Sequence, residues 1–552
     1  MTQPIRYHLA HQETQLGVGY FSPQPVGELT LEACLNHLQR LPNDEFMRQH
    51  VRPRLALLSQ EELTRMFDAA DTVIQGLILE TALLTPDLAS LAEQLGGRTA
   101  ELVDSTPQIF LASSLRPDHS QHALASRMLS ANIFEHVSLP EDFTLPDLPP
   151  PGPAQSTNPA DVAAKLGPAL TELPPCPRRP ARETHQLAME RLYGLGIVEG
   201  PEMRHQASLA PWGLLRRWRL DRTVRCGAFN HRLDGVLTSY GRGLRLEDAR
   251  ASLAMEMVER YSSFADIREM RVTGNRTDTE LTLASHGDLA RPALDPNQLR
   301  LEVPYRNQPL YWMDATDARG RPWLVPVQCV YLFCNLDEIR LFSGLGSTGL
   351  ASGNTPEEAK VSGLLEVIER DSEAVHVFDP AACFRISSSD PEIDTLLTRY
   401  RDQGLDVVFQ DLTTELGVPC CKCFLRHQDG TLAKATGAAL SGQRAVLSAL
   451  TETPFPFPAG PPSAVWPGDL PVRALEDMPD YGTGSATGDL MLLEAILAEH
   501  GLHPIYVDLT KKEVRLPVYR AMVPGLEVAS DFDRFTRISP RLAERIKERK
   551  KA

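Results

Sequence analysis

No run of eighteen or more apolar residues occurs in this 552-residue chain, so no segment reads as a membrane span. The first twenty residues, MTQPIRYHLAHQETQLGVGY, lack the apolar core of a secretion signal, and cytoplasm is the expected compartment. Positive charge is in short supply. The chain has 56 Lys+Arg against 72 Asp+Glu, a net charge of −16, which excludes a broad nucleic-acid footprint. The nine cysteines form no pair of CxxC motifs, so a structural zinc site is not expected. Cys420, Cys421 and Cys423 are the one cluster. They read either as a metal or sulfur-relay site or as small apolar residues on a buried strand, VPCCKCFLR, and the strand is favoured. The phosphate-binding pattern GxxxxGK[ST] is missing. Length exceeds that of one ordinary domain, and 42% hydrophobic with 23% charged residues is normal for a globular protein.

What is present divides into regions. Residues 1–137 read as a small, mostly helical unit. LSQEELTRMFDAADTVIQGLILETALL spaces apolar residues by three and four after a Ser59 cap with Glu62 three positions on. Residues 138–183 are Pro-rich and read as a linker, with one short helix around 160–170. From 184 to 540 strands and helices mix. THQLAMERLYGLGI reads as a helix; VRCGAFNHRLDG, WLVPVQCVYLF, LDVVFQDLT, VPCCKCFLR, HPIYVDLT and LPVYRAMV read as strands. Residues 453–484, rich in Pro and Gly, read as a surface loop or lid. The tail, 541–552, is basic and reads as a frayed, solvated helix.

One twenty-residue pattern occurs twice, GRGLRLEDARASLAMEMVER at 241–260 and ASGNTPEEAKVSGLLEVIER at 351–370, offset by 351 − 241 = 110 without a gap. Gly243/Gly353, Ala249/Ala359, Ser252/Ser362, Glu256/Glu366, Glu259/Glu369 and Arg260/Arg370 are identical pairs. On a helix, residues three apart share a face, so Glu256/Glu259 and Glu366/Glu369 are two carboxylate pairs. Four carboxylates at close range repel, and Arg260 and Arg370 balance only two of them. Mg²⁺ suits the remainder, because it prefers hard oxygen ligands and shares them with phosphates. SGLGSTGLASGNT (343–355) is dense in Gly and hydroxyl residues. It enters a helix at Thr355-Pro356, a loop type that brings backbone N–H groups to phosphate oxygens. A third, eroded echo lies at 434–452, where Ala445 precedes Glu452 by the interval of Ala249–Glu256. Glu452 reads either as a supporting acid or as a plain helix end before a proline. His376, seven residues beyond Glu369, reads as structural rather than as a ligand of a hydrolytic metal.

GRG…EDARASLAMEMVER, STGLASGNTPEEAKVSGLLEVIER, the echo, and VDLTKKEVRLPVYRAMVPGLE (507–527) together resemble the YcaO family, over roughly 180–540. The resemblance implies an α+β, ATP-binding fold with an internal pseudo-repeat. It implies an enzyme that uses Mg-ATP to phosphorylate a peptide-backbone amide oxygen. A Cys, Ser or Thr side chain then gives an azoline, or a sulfide donor gives a thioamide; other members assist ribosomal-protein methylthiolation. By position, Glu256, Glu259, Glu366 and Glu369 would hold Mg²⁺. Thr184, Ala251, Ser252, Ser347, Asn354, Glu358 and Arg370 would meet the nucleotide, with Arg178 or Arg179 close by. The implied partners are a peptide or protein substrate, a sulfur-supplying protein for thioamide formation, and a second copy in a homodimer. Azoline-forming relatives commonly end in a Pro-rich tail and carry a zinc-containing leader-binding domain. Here the chain ends ERIKERKKA and the N-terminal region has no CxxC pairs, which moves weight toward thioamide formation. The competing reading, a non-catalytic docking relative, is disfavoured by the four intact glutamates.

Overall fold

The computed structural model describes residues 4–551 apart from 13–19, 104–108, 116–118, 147, 149–155, 174–177, 343–345, 427–429, 431, 455–467 and 528–536. Three sheets and their covering helices make an α+β fold. The first sheet is built on a long hairpin, Trp212–Cys226 against Phe229–Gly243, which turns at Gly227 (φ 59°). The second contains Leu310–Asp317, Ile505–Asp508, Val518–Met522 and Leu350–Ser352. The third contains Leu432–Ala438, Cys420–Arg426, Asp406–Asp411 and Cys383–Ser387. Among the described residues no helix is long and apolar enough to cross a membrane.

Each sheet feeds one helix of the repeat. Phe229–Gly243 leads into the first repeat helix, Leu246–Ser262. Leu350–Ser352 leads into the second, Pro356–Ala374, and Leu432–Ala438 into the third, Gly442–Glu452. Glycine at the junction has a steric cause. A Cβ on Gly243 would stand 2.8 Å from the Ala249 nitrogen, and one on Gly353 would stand 2.5 Å from that of Ala359. Gly437 meets the third helix as Gly241 meets the first: a Cβ there would stand 2.5 Å from the Ala445 carbonyl oxygen. Each copy thus has a glycine where its strand or its end passes close to the helix Ala, by the Gly243 and Gly353 contact in the first two copies and by the Gly241 and Gly437 contact in the first and third.

Several elements differ from the expectation. The segment 1–137 is mostly helical, as expected, but opens with two strands. Ile5–Gln12 pairs in parallel with Phe229–Gly243, and Tyr20–Pro25 extends the first sheet beyond it. Nor does this segment pack apart from the rest: one apolar core runs from Tyr7, Leu38 and Leu77 through Trp218 and Met257 to Trp312. Asp44 joins the two regions, accepting hydrogen bonds from Tyr7 Oη at 2.6 Å and Asn335 Nδ2 at 2.9 Å. The Ser59 capping box is formed, and the apolar spacing after it is carried by two helices, Gln60–Ala69 and Thr72–Leu84, the second capped by Asp71. In the segment 138–183, helix Pro159–Thr171 buries Val162 against Leu364 and Leu492, and the Thr157 N–H donates to Glu415 O. The strand in WLVPVQCVYLF ends at Pro326 and gives way to a 3₁₀ turn. Within 453–484, residues 455–467 lie outside the described residues, and Val472–Ala474 is a strand.

The C-terminal segment is the largest correction. Pro540–Lys551 is a docked helix, not a solvated tail. Leu542, Ala543 and Ile546 are buried beside Leu129, Phe143 and Val377. Arg541 Nη1 reaches the fully buried Asp371 at 2.6 Å, and Arg545 Nη2 reaches Glu415 at 2.9 Å.

Candidate functional site

A cleft of about 900 Å³ opens where the three repeat helices converge. Each contributes a stripe at three- and four-residue spacing: Asp248, Ala251 and Met255 from the first; Glu358, Ser362 and Leu365 from the second; Ser441, Arg444 and Ser448 from the third. Such spacing is one helical face. Continued by one turn, the stripes reach Glu256 and Glu259, Glu366 and Glu369, and Glu452. These five glutamates are not among the cleft's lining residues; they form an acidic end one turn beyond them on the same three helices.

The opposite wall comes from helix Ala181–Gly194 and the stretch before it. Thr184 Oγ1 and Arg179 Nη1 both donate to Asn354 Oδ1, each at 3.2 Å. The Asn354 N–H donates to Glu358 Oε2 at 2.7 Å, and Thr355 caps the second repeat helix by accepting from the Glu358 N–H. Arg178 lies 3.3 Å from Asp489 across the cleft. Thr184, Ala251, Asn354 and Glu358 therefore stand together around one cavity, with both Arg178 and Arg179. Ser252, Ser347 and Arg370 are not among its lining residues. In the second copy it is Ser362, the counterpart of Ser252, that lines it. Ser347 belongs to the loop held from below by Arg520, whose Nη1 donates to Gly346 O at 3.0 Å. Arg370 is occupied by two carboxylates, Glu369 at 2.7 Å and Glu373 at 3.1 Å.

Electrostatics at the acidic end follow from burial and crowding. Burial, joined by repulsion from Glu366 and Glu256 and opposed by Arg260, pushes the Glu259 carboxyl up to about 8. Burial, with Glu452 adding to it, lifts Glu366 to about 7 against the pull of Arg260, Arg370 and Arg520. Glu256 is raised by burial with a contribution from Glu452, and Glu369 is raised well above the usual range by burial with Glu452, Glu366 and Glu373. Two arginines beyond those expected attend the cluster: Arg520 from the second sheet, and Arg242, which pairs with Glu452. The fifth carboxylate offsets one of these two charges. Glu452 is thus part of the cluster, and the echo that carries it is a genuine third copy in space.

Among the described residues no three His, Cys, Asp or Glu side chains close around a point tightly enough to cage a metal unaided. The donor set still fits Mg²⁺. All donors are hard carboxylate oxygens, they remain proton-hungry despite four arginines, and they stand one helical turn beyond the residues that line a cavity large enough for phosphates. Mg²⁺ keeps waters and substrate oxygens among its ligands and does not require a complete protein cage. The two other candidates dissolve into structure. Cys420, Cys421 and Cys423 are buried on strand Cys420–Arg426 with thiols raised by burial, as the strand reading expects. His376 is held between Ser372 O at 2.8 Å and Arg545 at 2.9 Å.

Sequence reasoning missed Arg444 and Ser448. Their signal was the register of the echo: with Ala445 set on Ala359, Ser448 falls on Ser362 and Arg444 on Glu358. Arg520 carried no such signal, since it reaches the cluster from a strand distant in sequence; Arg242 lies within the first repeat, but on its strand and so outside the helical Glu-x-x-Glu face.

The sequence model of the YcaO cyclodehydratase family, described as ATP- and Mg²⁺-binding, matches residues 240–454 and 459–527. The chain belongs to the YcaO family. An uncharacterised protein of Methanothermobacter thermautotrophicus is 32% identical over 339 residues, which are 54% of this chain and 84% of that one. An uncharacterised protein from the tfuA 3′ region of Rhizobium leguminosarum bv. trifolii is 32% identical over 189 residues, 32% of this chain and 43% of that one. Among solved structures, a heterocyclase in complex with substrate and cofactor shares the fold. Its TM-score is 0.52 at 19% identity, and the match spans 66% of this chain and 55% of that one. ATP and Mg²⁺ are the cofactors of this YcaO protein by its family's description.

The raised carboxyls give the YcaO site a pH signature. If these glutamates are to hold a cation, protons must first leave Glu366 and Glu259, and Mg²⁺ affinity would then rise as pH climbs through 7 to 8. Calorimetry at pH 7 in buffers of different ionisation enthalpy should show proton release on Mg-ATP binding. Buffer-independent heats and a flat pH profile would contradict the arrangement.

Proposed function

We propose that the protein is a Mg-ATP-dependent enzyme that phosphorylates the oxygen of a peptide-backbone amide and so enables azoline or thioamide formation. The observation that carries this reading is a polar cleft whose three helical walls all end in carboxylates. Bound Mg²⁺ supplies charge neutralisation between those carboxylates and the phosphates. Thr184, Asn354, Glu358 and Ala251 hold the body of the nucleotide. Ser252, Ser347 and Arg370 act from beside the cleft, Arg370 by fixing Glu369 and Ser347 through the loop tied to Arg520. Glu256, Glu259, Glu366 and Glu369 bind the metal, and Glu452 adds to their field. An amide oxygen is a poor leaving group, and its phosphoryl ester departs readily once a nucleophile has added to the amide carbon. The protein's share is then positioning and electrostatics.

The acceptor is a peptide or protein, and the cytoplasm, where ATP is held, is the site of action. Co-expression with peptides encoded beside the gene, followed by intact-mass analysis, tests the proposal. Loss of water identifies azoline formation. Replacement of oxygen by sulfur identifies thioamide formation and calls for a sulfur-supplying partner. Unmodified peptides, together with no peptide-stimulated ATP hydrolysis, would overturn it.

A further inference from the structure

Behind the second pair of glutamates lies a buried line of charge that the proposed chemistry does not use. Glu369 Oε1 meets Arg370 Nη2 at 2.7 Å, and Glu369 Oε2 accepts from the Ala438 N–H at 3.1 Å. The other side of the Arg370 guanidinium meets Glu373 at 3.1 Å. Glu373 in turn meets Lys422 Nζ at 3.0 Å, with side-chain exposures of only 12% and 5%. Lys422 donates to the main-chain carbonyl of Ile133 at 2.9 Å. Ile133 lies near the end of helix His119–Glu135, which precedes the residues matched to the family. That helix end is fixed to the segment just beyond the second repeat helix. The Phe378 N–H donates to Asn132 Oδ1 at 2.8 Å, Asn132 Nδ2 donates to Phe378 O, and the His136 ring lies edge-on to Phe378 and Phe424.

We propose that Glu373 and Lys422 are positioning residues for Glu369, and that the end of the N-terminal helix holds them in register. The proposal rests on the metal-binding role given to Glu369. Its physical basis is competition for one guanidinium. Arg370 is shared between Glu369 and Glu373, so it cannot turn wholly onto Glu369 and satisfy both of its oxygens. Glu373 keeps its place because Lys422 neutralises it, and Lys422 keeps its place because Ile133 O accepts from it. A buried pair of this kind adds little net stability, since desolvation cancels most of the attraction. Its effect is geometric: it keeps Arg370 on Glu369 Oε1, so that Oε2, which accepts the Ala438 N–H, keeps a second lone pair for a cation.

The test uses the full-length chain, with Mg²⁺ titrated at fixed ATP and ATP binding read by calorimetry. Glu373→Gln and Lys422→Met are each expected to raise the half-saturating Mg²⁺ concentration by about tenfold, the effect usual for groups that orient metal ligands. ATP binding without Mg²⁺ and the far-ultraviolet circular dichroism should stay as in the parent. Lys422→Arg should recover most of the loss, and Asn132→Ala should shift the Mg²⁺ requirement in the same direction by a smaller factor. Glu373→Gln is nearly isosteric and decides the matter if Lys422→Met fails to fold. A folded Glu373→Gln protein with parental Mg²⁺ dependence overturns the positioning role. If Glu369→Ala also leaves Mg²⁺ dependence unchanged, the metal site itself is wrong; if Glu369→Ala abolishes it, only the inference fails.

Discussion

Glu366→Ala is expected to lower Mg²⁺-dependent ATP hydrolysis by a factor on the order of 10²–10³ while the chain stays folded. Glu366 occupies the middle of the acidic end, within the fields of Arg260, Arg370, Arg520 and Glu452. No other described carboxylate is set to replace it, because Glu259 pairs with Arg260 at 3.2 Å and Glu369 with Arg370. Its loss should not unfold the protein. A carboxyl raised by burial binds a proton more tightly when folded than when unfolded, so the metal-free fold loses stability as pH rises from the unfolded value near 4.5 toward 7. Removing the carboxyl removes that loss, and at pH 8 without metal the variant should melt no lower than the parent. Glu256→Ala and Glu369→Ala should follow the same pattern. Unchanged ATP affinity in the presence of Mg²⁺, measured by calorimetry on folded variants, would refute the assignment of the metal ligands.

Arg541→Ala should destabilise the chain by about 3 kcal/mol, a larger effect than any surface substitution. Asp371 is fully buried, accepting from Arg541 at 2.6 Å and from the Glu527 N–H at 2.8 Å. Without Arg541 the carboxylate keeps one main-chain partner and loses the counter-charge that the described residues give it. Urea unfolding monitored by fluorescence gives the loss directly. The double variant Arg541→Ala/Asp371→Asn should lose less than the sum of the single changes, because the stranded charge is gone. A loss under about 0.5 kcal/mol in the single variant would mean that the C-terminal helix is not docked as described.

How far these features could be read in advance depended on how local their causes are. The repeat was legible because each Gly–Ala crossing and each Glu-x-x-Glu face is set within about twenty residues. The Thr355 cap and the Ser59 box were legible for the same reason. Strand Ile5–Gln12 was not. Its parallel partner lies more than 200 residues away, and its alternating His, Arg and Gln look like surface. The C-terminal helix was misread because three apolar residues, Leu542, Ala543 and Ile546, are a narrow stripe among many charges. Arg242 was passed over because it stands on the strand of the first repeat, not on its acidic helix face, and nothing in the neighbours of Arg520 says that a cluster of acids waits across the fold.

The meeting of three sheets at one acidic point has a consequence for biosynthesis. A growing polypeptide that has emerged only as far as the second glutamate pair still wants the helix that ends at Glu452 and the strand that bears Arg520. Nucleotide cleavage should therefore switch on late and all at once, as a property of the finished molecule. Incomplete products of translation or proteolysis would be silent and would not waste ATP.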